Sequence, residues 1–225
     1  MYFRIDRVNL SFRQFVIALG ISTITALLGA RLVFIIAMLP QMELSINNII
    51  HYTLNGGIVF YGGMLGALAG IPITSRIIGC SSKMVTNMAA PAIPLFHFWA
   101  RIGCLFAGCC YGIPWPWGVV MQDSAEIIRF PVQFVESICN LVIFVIVIFV
   151  EKKSKSYDHN ISIYLILYSV CRFILEFFRG DEVRGIWMFG LSTAQIISVL
   201  IVGFIVTNKF LVKYMREPIL RARQS

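Results

Sequence analysis

Residues 134–155 read FVESICNLVIFVIVIFVEKKSK. Polar residues gather at one end, an unbroken run of Leu, Val, Ile and Phe fills the middle, and Lys152, Lys153 and Lys155 close the other end. At about 1.5 Å of rise per residue, the stretch 134–150 approaches the roughly 30 Å of a bilayer's hydrocarbon. Basic residues collect where such a helix emerges on the cytoplasmic side. Similar apolar runs lie near 16–39, 58–79, 88–108, 161–178 and 191–212, which makes about six spans in all. Polar or Gly- and Pro-broken connectors separate them at 40–57, 80–87, 109–133, 151–160 and 179–190. The expected fold is an all-α, polytopic transmembrane helix bundle, a single integral membrane domain over 1–225.

Composition agrees. The chain has 225 residues, of which 58% are hydrophobic and only 13% charged, against about 25% charged in a soluble domain. Mean hydropathy is +0.81. A net charge of +8 would suggest nucleic acid in a soluble protein, but here the basic residues fall between apolar runs, where topology needs them. No nucleic-acid partner is expected. The N-terminal MYFRIDRVNLSFRQ leads into a run too long for a cleavable signal core. Six cysteines, mostly inside apolar segments, do not form a secreted disulfide framework.

The basic residues also set orientation. Thirteen of them fall on one side: Arg4, Arg7 and Arg13; Arg76 and Lys83; Lys152, Lys153 and Lys155; and Lys209, Lys213, Arg216, Arg221 and Arg223. The alternate connectors hold three, Arg129, Arg179 and Arg184. Both termini are therefore expected in the cytoplasm.

Arg31, Arg101, Arg172 and Glu176 remain inside predicted spans. Helical rise places Arg31 about 22 Å, Arg101 about 20 Å and Arg172 about 16 Å from the inner ends of their spans. Every one falls at or beyond mid-membrane, toward the outer side. A charge in hydrocarbon costs at least about 2.5–3.5 kcal/mol, so it faces the bundle or a cavity. Each arginine has a bland alternative, snorkelling outward or holding a carbonyl, and Arg172 and Glu176, one turn apart, can neutralise each other. Three guanidiniums at similar depth nevertheless suit a phosphate, whose oxygens their planar forks bind bidentately.

Helix spacing adds faces. Tyr168, Arg172 and Glu176 form one stripe; His97, Arg101, Cys104 and Gly108 form another. Gly62, Gly66 and Gly70 repeat G-x-x-x-G, which serves close helix packing or admits acyl chains. The 109–133 connector, with Trp115 and Trp117, is expected to lie along the outer surface as a short arm or re-entrant piece between spans three and four. Cys104, Cys109 and Cys110 admit three roles: packing, a disulfide or redox pair, or a metal site, for which C-x4-C-C lacks a further ligand set.

Several segments together resemble the prolipoprotein diacylglyceryl transferase family. They are LLGARLVF at 27–34, GGIVFYGGMLG at 56–66, ARIGCLFAGCCYG at 100–112, PWGVV at 116–120, RFPVQFVE at 129–136, YSVCRFILEFFRGDE at 168–182 and GLSTAQIIS at 190–198, in the family's order. The resemblance implies an enzyme of the bacterial plasma (inner) membrane that moves the diacylglyceryl group of phosphatidylglycerol to the lipobox cysteine of a prolipoprotein signal peptide. It implies that Arg101 binds phosphatidylglycerol, that Gly112 ends the same signature, and that Arg172 is essential, with Tyr168 and Glu176 beside it. Tyr61, beside Gly62 and Gly63, occupies the place of a histidine found in many members, and Gln133 and Glu136 match the arm that follows. Arg31 joins the candidate binding set by its depth, apart from Arg101 and Arg172, which the resemblance singles out. No metal or cofactor is implied. The chain departs from the family at Cys104, Ala107 and Cys109, where asparagines and a glutamate are usual, and at Phe130 and Val132. The usual first helix before the G-A-R segment is not expected here. The lost polar residues keep two rivals in view, a catalytically silent lipid-binding paralogue and an anion or lipid transporter.

The reaction so implied is alkylation of sulfur at a primary glyceryl carbon with a phosphate leaving group. It needs a thiolate, since a free thiol has a pKa near about 8.5, and cations at the departing phosphodiester. Tyr61, Glu176 and His97 are the candidates for the base.

Overall fold

The computed structural model describes residues 11–38, 45, 60–121, 124–154, 156, 158–180 and 190–222. The side chain of Tyr61, most of the connectors 40–57 and 179–190, and the basic side chains of both termini beyond Arg13 lie outside the described residues. The chain forms two compact units, 1–89 and 90–225.

The first unit contains α1 (Phe12–Met38), α2 (Phe60–Ile78) and α3 (Ser82–Ala89). A capping box starts α1: Ser11 Oγ accepts from the Gln14 N–H at 3.2 Å, and Gln14 Oε1 accepts from the Ser11 N–H at 2.8 Å. The Gln14 amide also donates to the carbonyl of Ile78 at 3.1 Å, tying the start of α1 to the end of α2. Gly79, at φ +72°, closes α2 in the left-handed conformation that only glycine adopts without cost. Between the two helices the G-x-x-x-G face does its packing work. A Cβ on Gly66 would lie 2.9 Å from the Thr25 carbonyl carbon and 3.1 Å from Gly29 Cα; one on Gly29 would lie 2.8 Å from Gly66 Cα. Gly62 is closed off in the same way by Gly29 and Val33, whereas Gly63 has ordinary clearance, 3.5 Å from Ala30 Cβ. With no hydrophobic drive between helices in lipid, such backbone approach is what holds two spans together.

The second unit contains α4 (Ala92–Phe106), a hairpin of β1 (Pro114–Met121) and β2 (Ser124–Arg129), α5 (Val132–Ser154), α6 (Asn160–Leu175) running into a 3-10 turn (Glu176–Phe178), and α7 (Thr193–Ala222). Helix α5 packs on α4 and α6, and α6 packs on α7. A second capping box starts α7, with Ser192 and Gln195 exchanging bonds of 2.9 and 3.3 Å. Gln195 Nε2 then reaches the Phe173 carbonyl at 3.4 Å, so the cap also ties α7 to α6. The hairpin packs through Trp115 against Phe130 and Phe178, whose rings stack at 4.9 Å. That cluster fixes the hairpin at the end where α5 begins and α6 finishes.

Among the described residues, three helices are long and apolar enough to cross a membrane, Phe12–Ile36, Val132–Ser154 and Asn160–Phe178. A fourth follows if the bent pair Gly62–Ile78 and Ser82–Ala89 counts as one span. Ala92–Phe106 and the described apolar part of α7, Thr193–Asn208, are shorter. The expected span at 88–108 is divided at Ala90–Pro91, because a proline disfavours helical geometry in the residue before it. The expected 80–87 connector is largely helical. The all-α expectation also needs amendment, since the 109–133 connector carries two antiparallel strands. Pro114 and Pro116 bar a helix there, while the Trp and Val residues between and after them favour extended chain.

The glycine face makes a discriminating test. Gly66→Ala should lower the unfolding free energy of the detergent-solubilised protein by about 1–3 kcal/mol through overpacking. Gly63→Ala should change it by less than about 0.5 kcal/mol.

Candidate active site

The site grows from one face of α5. Gln133, Glu136, Ser137 and Asn140 recur at helical spacing and are all essentially inaccessible, Glu136 at 2% and Asn140 at 0%. An ionised carboxylate at that depth is tenable only if paired and hydrogen-bonded. Glu136 has both. Arg101 Nε, on α4, lies 3.1 Å from Glu136 Oε1, and the Tyr168 hydroxyl, on α6, donates to the same oxygen at 3.5 Å. One buried carboxylate thus gathers three helices.

The aromatic residues of α6 extend this centre. The Tyr164 hydroxyl is 3.3 Å from His97 Nδ1, the Tyr164 and Tyr168 rings stack at 5.7 Å, and Tyr168 lies 5.2 Å from the His97 ring. His97 therefore faces both tyrosines, and Arg101, four residues on along α4, faces Tyr168.

A second guanidinium stands one turn along α6 from Tyr168. Arg172 Nη2 is 2.7 Å from Glu176 Oε2, the i,i+4 neutralisation weighed from the sequence. Glu176 is 2% exposed and Arg172 side chain 14%. The pairing leaves capacity, however: Arg172 Nη1 is buried and has no hydrogen-bond partner among the described residues. A guanidinium carries five donors. A carboxylate on one edge holds the fork in place, and another edge stays available to an anion.

Gly112 sits in a junction of three backbone segments. It bridges Arg179, the Gly180 N–H donates to the Tyr111 carbonyl at 3.0 Å, and the Ile113 N–H donates to the Phe178 carbonyl at 3.0 Å. A Cβ on Gly112 would meet the carbonyl oxygens of Phe130 and Phe178. Glycine is therefore required for close approach, and the residue shapes the site through its backbone. Arg129 stacks 4.2 Å above the Tyr111 ring and reaches the Gly112 carbonyl at 3.5 Å.

Gln133 Nε2 donates to the carbonyl of Cys109 at 2.8 Å, fixing the loop that follows α4. The Cys104 thiol, on the last turn of α4, is hydrogen-bonded to Cys110 on that loop and draws it toward the thiolate. Partial burial opposes this, and the Arg179 and Arg101 guanidiniums assist it.

The second unit therefore brings together Arg101, Glu136 and Tyr168 through one carboxylate, pairs Arg172 with Glu176, and holds Gln133 and Gly112 at the neighbouring loop and hairpin. Arg31, half-buried on α1, and Gly62 and Gly63 on α2 belong to the first unit. Sequence spacing had separated Arg101 from Glu136, 35 positions apart on different helices, and had not singled out Tyr164, Asn140 or the buried Arg179. The signal available for Asn140 was the polar recurrence at 133, 136, 137 and 140 within an otherwise apolar helix.

Two buried arginine–carboxylate pairs thus lie among apolar helices long enough to cross a membrane. The family model described as prolipoprotein diacylglyceryl transferase matches residues 2–210, and the chain belongs to that family. Among its relatives is the phosphatidylglycerol–prolipoprotein diacylglyceryl transferase of Clostridium tetani, 31% identical over 196 residues, covering 84% of this chain and 77% of the relative. Phosphatidylglycerol–prolipoprotein diacylglyceryl transferase 2 of Clostridium perfringens is 28% identical over 187 residues, covering 80% and 72%. The Rickettsia felis enzyme of the first name is 30% identical over 185 residues, covering 79% and 71%.

Removing one member of the central pair gives a test of its burial. Glu136→Leu, which leaves Arg101 uncompensated, should cost about 3–5 kcal/mol of stability. The double variant Arg101→Met, Glu136→Leu should recover most of that loss in denaturant unfolding, although it removes more polar groups.

Proposed function

We propose that this chain transfers the diacylglyceryl group of phosphatidylglycerol to the thiol of a lipobox cysteine in a prolipoprotein, forming a thioether and releasing glycerol phosphate. The observation that carries the site assignment is the unpartnered, buried Nη1 of Arg172 beside a carboxylate-anchored fork. The phosphodiester sits against Arg172 and Arg101. Glu176 orients the first of these and Glu136, with Tyr168, orients the second. The acceptor thiol gives up its proton to solvent, and its sulfur bonds to the primary glyceryl carbon as the carbon–oxygen bond to phosphate breaks. The electron pair leaves on phosphate oxygen, where fixed guanidinium donors stabilise it without reorganisation.

An apolar groove of about 510 Å³ runs between α6 and α7, lined by Val170, Phe173, Ile174, Val199, Val202 and Val206. It suits an acyl chain of a lipid whose headgroup lies at Arg172, on another face of α6. The chain is proposed to work in the bacterial plasma membrane as one domain of six spans, with both termini cytoplasmic. The 114–129 hairpin then serves as the arm on the outer surface. Trp117, 62% exposed, suits the aromatic belt at that interface.

Two measurements test these assignments. With headgroup-labelled phosphatidylglycerol and a lipobox peptide, Arg172→Gln and Arg101→Gln should each slow release of labelled glycerol phosphate by about 10²–10³-fold, the loss that follows removal of a transition-state donor. Unchanged release in both variants would overturn the phosphate assignment. For topology, a fluorescent protein fused after Ser225 should fluoresce and a periplasm-dependent phosphatase there should stay inactive; an active phosphatase would overturn the six-span arrangement.

A further inference from the structure

Three sulfur atoms converge where α4 ends. The Sγ atoms of Cys104, Cys109 and Cys110 all lie within 4.8 Å of one another, and all three thiols are free. Cys104 is on the last turn of α4, and two backbone devices bring the others back to it. The Gly108 N–H donates to the Leu105 carbonyl at 3.3 Å and the Cys109 N–H to the Cys104 carbonyl at 3.2 Å. With Gly108 left-handed at φ +68°, this is the Schellman ending of a helix, which folds the residue after the glycine over the last turn. Cys110 then takes φ +60°, the one non-glycine residue in that region among the described residues. A left-handed non-glycine residue is strained and persists where the surroundings impose it. Here Gln133 clamps the Cys109 carbonyl from α5.

We propose that Cys104, Cys109 and Cys110 form a binding site for one thiophilic metal cation of the zinc or copper(I) class, with three sulfur ligands and an open remaining position. With metal–sulfur bonds of about 2.3 Å, three sulfurs around one ion sit roughly 4 Å apart, so the present spacing needs only small side-chain adjustment. Soft thiolates select such cations over magnesium or calcium. The location is favourable too. A cation at a helix C-terminus meets the negative end of the helix dipole. Three thiolates around a dication carry one net negative charge, and the Arg101 and Arg179 guanidiniums, both close enough to act on Cys110, offset it. Cys109 is exposed, which gives an ion a route in, while Cys104 and Cys110 are half-buried. Packing alone would not explain an exposed cysteine held over two others by a strained backbone. The site does not depend on the proposed transfer reaction, and its test does not read that activity.

The probe is Cd²⁺, titrated into the reduced, detergent-solubilised full chain under anaerobic conditions and followed by its sulfur-to-metal charge-transfer absorption. The expected result is one equivalent bound, with an intensity corresponding to three sulfurs. Cys104→Ser, Cys109→Ser and Cys110→Ser should each reduce that intensity by about one third and weaken binding by at least about tenfold, the loss seen even when an outer partner of a metal ligand is removed. Cys80→Ser, Cys139→Ser and Cys171→Ser should leave both unchanged. Absence of the band, an intensity for two sulfurs, or indifference to the exposed Cys109→Ser change would overturn the proposal. So would a disulfide among the three cysteines in protein isolated from membranes without reductant.

Discussion

The second unit is organised by the need to compensate one buried carboxylate. Glu136 lies on the face of α5 that meets both α4 and α6, and at 2% exposure water cannot stabilise its charge. Desolvating a carboxylate costs several kcal/mol even after relaxation. Arg101 and Tyr168 supply the offset from two other helices, and in doing so fix the rotation of each helix about its axis. In lipid, where apolar packing between helices has no solvent drive, such polar contacts and close backbone approaches set the geometry. The first unit relies on the second device through Gly29, Gly62 and Gly66, joined by the Gln14–Ile78 bond.

The same economy recurs at the helix ends. Gln14 and Gln195 each complete a capping box and then bridge to a neighbouring helix, at Ile78 and Phe173. Gly112 joins the loop after α4, the hairpin and the end of α6 in one junction. Within the second unit, the Gln195 and Gly112 contacts brace the end of α6 that carries Arg172. Two of the substitutions that separate this chain from its family's usual signature, Cys104 and Cys109, fall at the end of α4 and on the loop after it. Cysteines stand there in place of asparagine and glutamate, and the fold has gathered them.

Membrane character was legible because hydrophobicity accumulates over each apolar run, whatever the tertiary contacts. The Arg172–Glu176 pair was legible because its partners are one helical turn apart, and the G-x-x-x-G face because small residues recurred every four. The Arg101–Glu136 pair was not, since no local pattern relates residues on two helices. Hydropathy also concealed the break at Ala90–Pro91, where alanines on both sides of the proline keep the run apolar; the proline itself was the signal. The hairpin was hidden by the apolar Trp-Pro composition, which reads equally as a surface arm. S-x-x-Q at 11–14 and 192–195 carried the signal of both helix starts, whereas the apolar runs alone set the spans at 16–39 and 191–212. The chemistry of the site rested on the family resemblance, which the family match over residues 2–210 bears out.

The central claim is that this geometry makes a thioether from a phospholipid and a thiol. Mass spectrometry of a lipobox peptide incubated with the purified protein and phosphatidylglycerol tests it most directly. The expected product is a peptide heavier by one diacylglyceryl group, attached at cysteine and resistant to neutral hydroxylamine, which cleaves a thioester and leaves a thioether intact. An unmodified peptide, or a lipid adduct that hydroxylamine removes, would contradict it.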